Sequence, residues 1–200
     1  MTGSSKSPFG DARPWAAPRD GLPVERPEPW ELVMHGARAG LIAGLALGIA
    51  EVGASLVLRG DPWVPFDFAA AIIVGPDALA PAFPLAASLT LGMVIHVLLS
   101  LMCGVAFVAG LALTCQLSAR PALMLVYGVL FGVTVWEVNF LAMLPVIAPE
   151  LTGRLDLETQ VWNGVLSYCL VYGPTLAAYL IRVRPGMLDR WWRVDEPEAP

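Results

Sequence analysis

Three ionisable side chains stand inside long apolar runs: Glu51, His96 and Glu137. The amides Asn139 and Asn163 occupy comparable settings. At bilayer depth such groups are costly to keep, and they mark ion or proton pathways by default. Counting about 1.5 Å per residue from the ends of the runs puts all three toward the middle or outer half of a membrane. A carboxylate facing an imidazole is the simplest way to satisfy both in lipid, and the pair Glu51–His96 can share a proton. Such a pair can relay protons or hold a small cation. It can equally be an interhelical hydrogen bond that sets a bundle.

Other chemistry is poorly supplied. One histidine at depth gives no bis-histidine ligation, because His35 falls at the membrane boundary, where a hydrated ring is expected. Two carboxylates with one imidazole fall short of the ligand sets of carboxylate-bridged metal sites in bundles, so neither a metal nor another cofactor is expected. No H-E-x-x-H, P-loop, G-x-G-x-x-G or G-x-S-x-G pattern occurs, and an enzyme is not expected. Cys103, Cys115 and Cys169 form no C-x-x-C pair and predict no disulfide framework. With a formal charge of −5 and no basic stripe, nucleic acid is not an expected partner.

The elements that must position these groups are membrane helices. The chain has 200 residues, 56% hydrophobic and 14% charged, where a soluble domain carries about 25% charged residues. Its mean hydropathy is +0.65. Four runs, at about 36–58, 85–113, 121–148 and 159–182, reach the roughly 20 residues that cross a hydrocarbon core. The expected fold is an all-α, four-transmembrane-helix bundle over 30–184. A disordered cytoplasmic arm (1–29) precedes it, and a cytoplasmic tail (185–200), anchored by Trp191 and Trp192, follows. The first run does not read as a cleaved leader.

The first helix carries Gly36, Gly40, Gly44 and Gly48 at fourth-residue spacing, a narrow face that lets a neighbouring backbone approach. Glu51 projects within about 20° of that face. The second helix has a matching stripe of Ser88, Gly92, His96, Ser100 and Gly104. These seams predict that helices one and two meet with Glu51 near His96. The connection 59–84 contains an apolar piece at 68–75, too short to span, which predicts an interfacial or re-entrant helix. The short turn 116–121 predicts helices two and three as antiparallel neighbours. On helix three, Gly128, Gly132 and Asn139 share a face that Glu137 does not, and Pro174 predicts a kink in helix four.

A cytoplasmic N-terminus leaves Arg59 and Arg154 alone outside and every other Lys and Arg inside, so both termini are expected in the cytoplasm. The order Gly40-Leu41-Ile42-Ala43-Gly44, then Glu51, a long proline-containing outer loop, and His96 followed by Ser100 resembles the YagU-like small inner-membrane proteins of bacteria. The resemblance covers about 36–182. It implies four helices in a bacterial inner membrane and says little about activity. Two readings of function follow. One is a proton- or cation-handling membrane protein. The other is an accessory or scaffold subunit, whose glycine faces dock helices of a homo-oligomer or a larger membrane complex. If the chain's own helices cover the Gly36–Gly48 face, docking there loses its motive.

Overall fold

The computed structural model describes residues 28–114, 121–153 and 160–183, with side chains withheld from description at 113–114, 160–165 and 183. The expected arm, the turn 116–121 with Cys115, and the tail with Trp191 and Trp192 lie outside the described residues, apart from Glu28, Pro29 and Pro121. Among the described residues every regular element is helical. Three helices are long and apolar enough to cross a membrane: Pro29–Arg59, Leu85–Ala112 and Pro121–Ile147.

Helix α1 (Pro29–Arg59) starts earlier than the hydropathy suggests, because Pro29 sits in the first turn, where its missing N–H costs nothing. Glu31 adds a charge favourable to the helix dipole. The residues from Trp30 to His35 are therefore part of α1. The helix stops at Gly60, whose φ of 71° lets its N–H reach Leu56 O at 3.0 Å. An Asp61 carboxylate accepting from Trp63 N at 2.9 Å then turns the chain into α2 (Val64–Val74), which is 11 residues long and too short to span. A 3₁₀ turn (Pro76–Leu79) leads on to α3 (Leu85–Thr114).

The next helix begins as α4 (Pro121–Trp136), widens into a π-helical stretch (Glu137–Met143), and closes with α5 (Leu144–Ile147) before a short α6 (Pro149–Thr152). The final one runs as a π-helical stretch (Gln160–Tyr172) into α7 (Gly173–Val183). Both π stretches end one residue before a proline-containing turn, at Pro145 and Pro174. A proline cannot donate to the carbonyl four residues back, and its ring crowds that carbonyl. The wider π turn relieves this locally: Leu144 N–H bonds Asn139 O, five residues back.

The helices pack as two close antiparallel pairs, α1 with α3 and α4 with the last helix, and α1 also lies along the last helix. The expected neighbours α3 and α4 do touch. They meet mainly through rings, with Phe107 centred 5.3 Å from Tyr127 and 5.1 Å from Phe131, rather than through apposed backbones. The glycines explain the difference, because they lie on the α1–α3 and α4–last-helix seams. Two apolar clusters bracket the molecule. One joins α1, α3, α4 and α7 around Phe107, Leu111, Tyr172 and Leu176; the other joins α2, the 3₁₀ turn, α5 and α6 around Ala70, Ala71, Leu144 and Leu151. Outside, large apolar side chains such as Leu45, Ile49, Met102 and Val146 are exposed, as a lipid-facing surface requires.

Candidate functional site

The α1–α3 seam is built from absent side chains. A Cβ on Gly36 would lie 2.7 Å from the Val105 Cα, one on Gly40 would strike the Ser100 carbonyl, and one on Gly104 would strike the backbone at Gly36 and Gly40. The chain's own α3 therefore covers the Gly36–Gly48 face. Toward the C-terminal end of α1 the spacing opens enough for a ring. His96 Nε2 donates to Gly44 O at 2.8 Å, and a Cβ on Gly48 would sit 3.4 Å from the same nitrogen. A carbonyl only accepts, so Nε2 carries the proton and Nδ1 is the imidazole nitrogen left to exchange one.

One turn further along α1, Glu51 joins His96 in the lining of a cavity of about 360 Å³. Asn139, from the π stretch after α4, and Tyr168, from the last helix, reach the same cavity. Their side chains hydrogen-bond, and Glu51 lies within electrostatic range of Tyr168. Helix α2 forms the outer wall with Pro65, Phe68, Ala69 and Ile72. It is held against α3 by a hydrogen bond from Ser88 Oγ to Asp67 and by Gly92, where a Cβ would lie 2.7 Å from Phe66 O. A second cavity of about 380 Å³, between α1, α2 and α3, shares Glu51, His96, Pro65 and Ala69 with the first. Glu51 and His96 thus stand on the partition between two spaces. Among the described residues no hydrogen bond or ion pair reaches the Glu51 carboxylate, so the expected Glu51–His96 hydrogen bond is not made; the ring bonds the Gly44 carbonyl instead.

Each remaining expected residue has a clear place. Ser100 sits on the seam, where its carbonyl accepts from Tyr172 OH at 3.3 Å. Glu137 is exposed and lines neither cavity, which sets it apart from Glu51 and His96; Asn139, two residues on and about 200° around the helix, reaches the first cavity. Asn163 lies in the last π stretch, and its side chain is outside the described residues. His35 is buried, at 6% exposure, instead of hydrated at an interface; with α1 starting at Pro29, it falls on the same inward face as Gly36 and Ala39. Sequence reasoning missed Tyr168, Phe68 and Phe140. Tyr168 belongs to a visible stripe with Tyr172 and Tyr179, but nothing local shows that the stripe faces Glu51. No group of three or more His, Cys, Asp or Glu side chains placed to hold a metal ion is found among the described residues. Compared with family models, curated proteins and solved structures, the chain shows no significant match.

Proposed function

We propose that this chain is a four-crossing membrane protein of the bacterial inner membrane that handles protons or a small cation through the cavity beside Glu51 and His96. The observation that carries the reading is convergence. Five polar side chains, Glu51 and Arg59 of α1 with His96, Asn139 and Tyr168, line one space from four separate helical stretches, among walls that are otherwise apolar. Polar groups so placed are the usual elements of proton relays. Glu51 serves as the titrating carboxyl and His96 Nδ1 as its exchange partner, while the Tyr168–Asn139 pair extends the polar path toward the last helix. A proton needs fewer ligands than a metal, and two classical donors suffice for it. The fourth crossing is the helical stretch from Gln160 to Val183, which at about 1.5 Å per residue is long enough for the hydrocarbon core.

The test is proton movement in sealed vesicles. Purified protein reconstituted with a pH-sensitive dye inside should dissipate an imposed pH gradient, and Glu51→Gln should return the rate to that of empty vesicles. Equal rates for the wild type and Glu51→Gln would end the reading.

An accessory-subunit reading retains one support. Glu137 is an exposed carboxylate among the exposed apolar residues Val138 and Leu141, and a partner helix that supplies a donor would satisfy it. The Gly36–Gly48 face offers that reading nothing, since α3 already occupies it. Mass measurement under mild detergent, with and without Glu137→Leu, separates a bound partner from a lone chain.

A further inference from the structure

The cavity is mostly apolar, and that bears on what it holds. Beside its five polar groups, Arg59 among them, its walls include Ile72, Ile95, Leu99, Met143 and Leu144, together with aromatic rings. A route for a hydrated ion would be lined by polar groups along its length. A space of about 360 Å³ with apolar walls and a few converging polar groups has the size and make-up of an organic ligand site.

The rings narrow the class. Phe68 from α2 and Phe140 from the π stretch stack with centroids 6.3 Å apart and planes 23° from parallel. Phe140 and Tyr168 meet edge to face, 6.3 Å apart at 82°. Three ring systems from three stretches thus line one corner of the cavity. A cation within about 6 Å of such ring faces is attracted by their quadrupoles, most strongly where water is excluded. Glu51 is the acidic side chain in that lining, and among the described residues no hydrogen bond or ion pair neutralises it. The competing positive charge, Arg59, also lines the cavity; it is exposed at the end of α1, two turns and about 12 Å along the helix from Glu51.

We propose that this cavity binds a lipophilic organic ammonium ion, its charged head between the Glu51 carboxylate and the rings of Phe68, Phe140 and Tyr168 and its apolar body against the aliphatic wall. The inference rests on the reading above, in which the Glu51 carboxyl exchanges a proton. When the ammonium enters a protonated site, one proton leaves the carboxyl and the ammonium's single charge replaces it, so charge balances. Proton and ammonium therefore compete. The groups facing Glu51 in this exchange are His96 from α3, Tyr168 from the last helix and, further out, Arg59. Asp67 of α2 is engaged by Ser88 and lines neither cavity, and Glu137 faces away.

The experiment is equilibrium dialysis of radiolabelled benzyltrimethylammonium against the full-length protein in mild detergent. Alongside it, infrared spectra of the carboxyl band are recorded across pH for the wild type and Glu51→Gln. Saturable binding that weakens as pH falls is expected. Glu51→Gln should abolish it, and Phe140→Leu should weaken it roughly fivefold by removing one ring face. Glu137→Gln should leave it unchanged. Melting temperatures within a few degrees of wild type show that the variants fold, and Phe140→Leu carries the test if Glu51→Gln does not. Undiminished binding in Glu51→Gln overturns the proposal. So does displacement by the neutral isostere neopentylbenzene as effective as by unlabelled ammonium, or preferential binding of benzenesulfonate. A carboxyl band that titrates without ammonium binding removes the ligand class and leaves the proton reading standing. Absence of any titrating Glu51 band removes the proton reading and the exchange with it.

Discussion

At the residue scale the site turns on how His96 lies across α1. Its Nε2–H to the Gly44 carbonyl is an added bond to an oxygen already inside a helix, so its net worth is modest. Interhelical hydrogen bonds of this kind average about 0.6 kcal/mol. His96→Phe should therefore lower the melting temperature in detergent by only a few degrees while eliminating proton movement. A collapse of the fold would show that the imidazole is chiefly structural. Gly48 is the sensitive neighbour. The methyl of Gly48→Ala would stand 3.4 Å from Nε2, close enough to displace the ring by a few tenths of an ångström. The expected result is a protein of near-normal stability with impaired proton movement. Normal movement would mean that the ring's position is not critical.

At the scale of elements, the α1–α3 pair depends on backbone contact that side chains would prevent. Gly40→Leu or Gly104→Leu must push backbone away from backbone, and no flexible side chain is available to yield. Each should cost more than the roughly 1–3 kcal/mol of an ordinary overpacked core, read as a large fall in melting temperature. Gly53→Ala is the control, because nothing lies within 4 Å of its added Cβ. There the substitution should be neutral or slightly stabilising. Equal losses at Gly53 and Gly104 would contradict the packing. The π stretches act at the same scale. In the first of them Asn139 reaches the cavity wall while Glu137 stays outside.

For the whole molecule, orientation decides which side the cavity serves. With the N-terminus in the cytoplasm, α2 and the wall it forms belong to the periplasmic half. In a background with the native cysteines replaced, Arg154→Cys should react with an impermeant maleimide added to intact cells, and Arg120→Cys should react only after lysis. The reverse pattern would place the cavity toward the cytoplasm and invert the direction of any exchange.

Properties that depend on a run of neighbours were legible from the sequence alone. The apolar runs of α1, α3 and α4 reveal length and hydrophobicity sufficient to cross a membrane, because burial in lipid is summed over a helix and needs no knowledge of what packs beside it. The small-residue spacing in α1 was legible for a similar reason: side-chain volume at every fourth position is a local fact. The face that Asn139 shares with Gly128 and Gly132 was legible, but the inward orientations of Tyr168 and His35 were not. Tyr168 lies in a π stretch, whose wider turns shift the roughly 100° register of an α-helix, and His35 joins a helix face only because α1 extends back to Pro29. Nor could the sequence show that Phe68, Phe140 and Tyr168 share one corner with Glu51. Those residues come from four stretches far apart in the chain, and the packing of α2 over α3 and of the last helix against α1 and α4 brings them together.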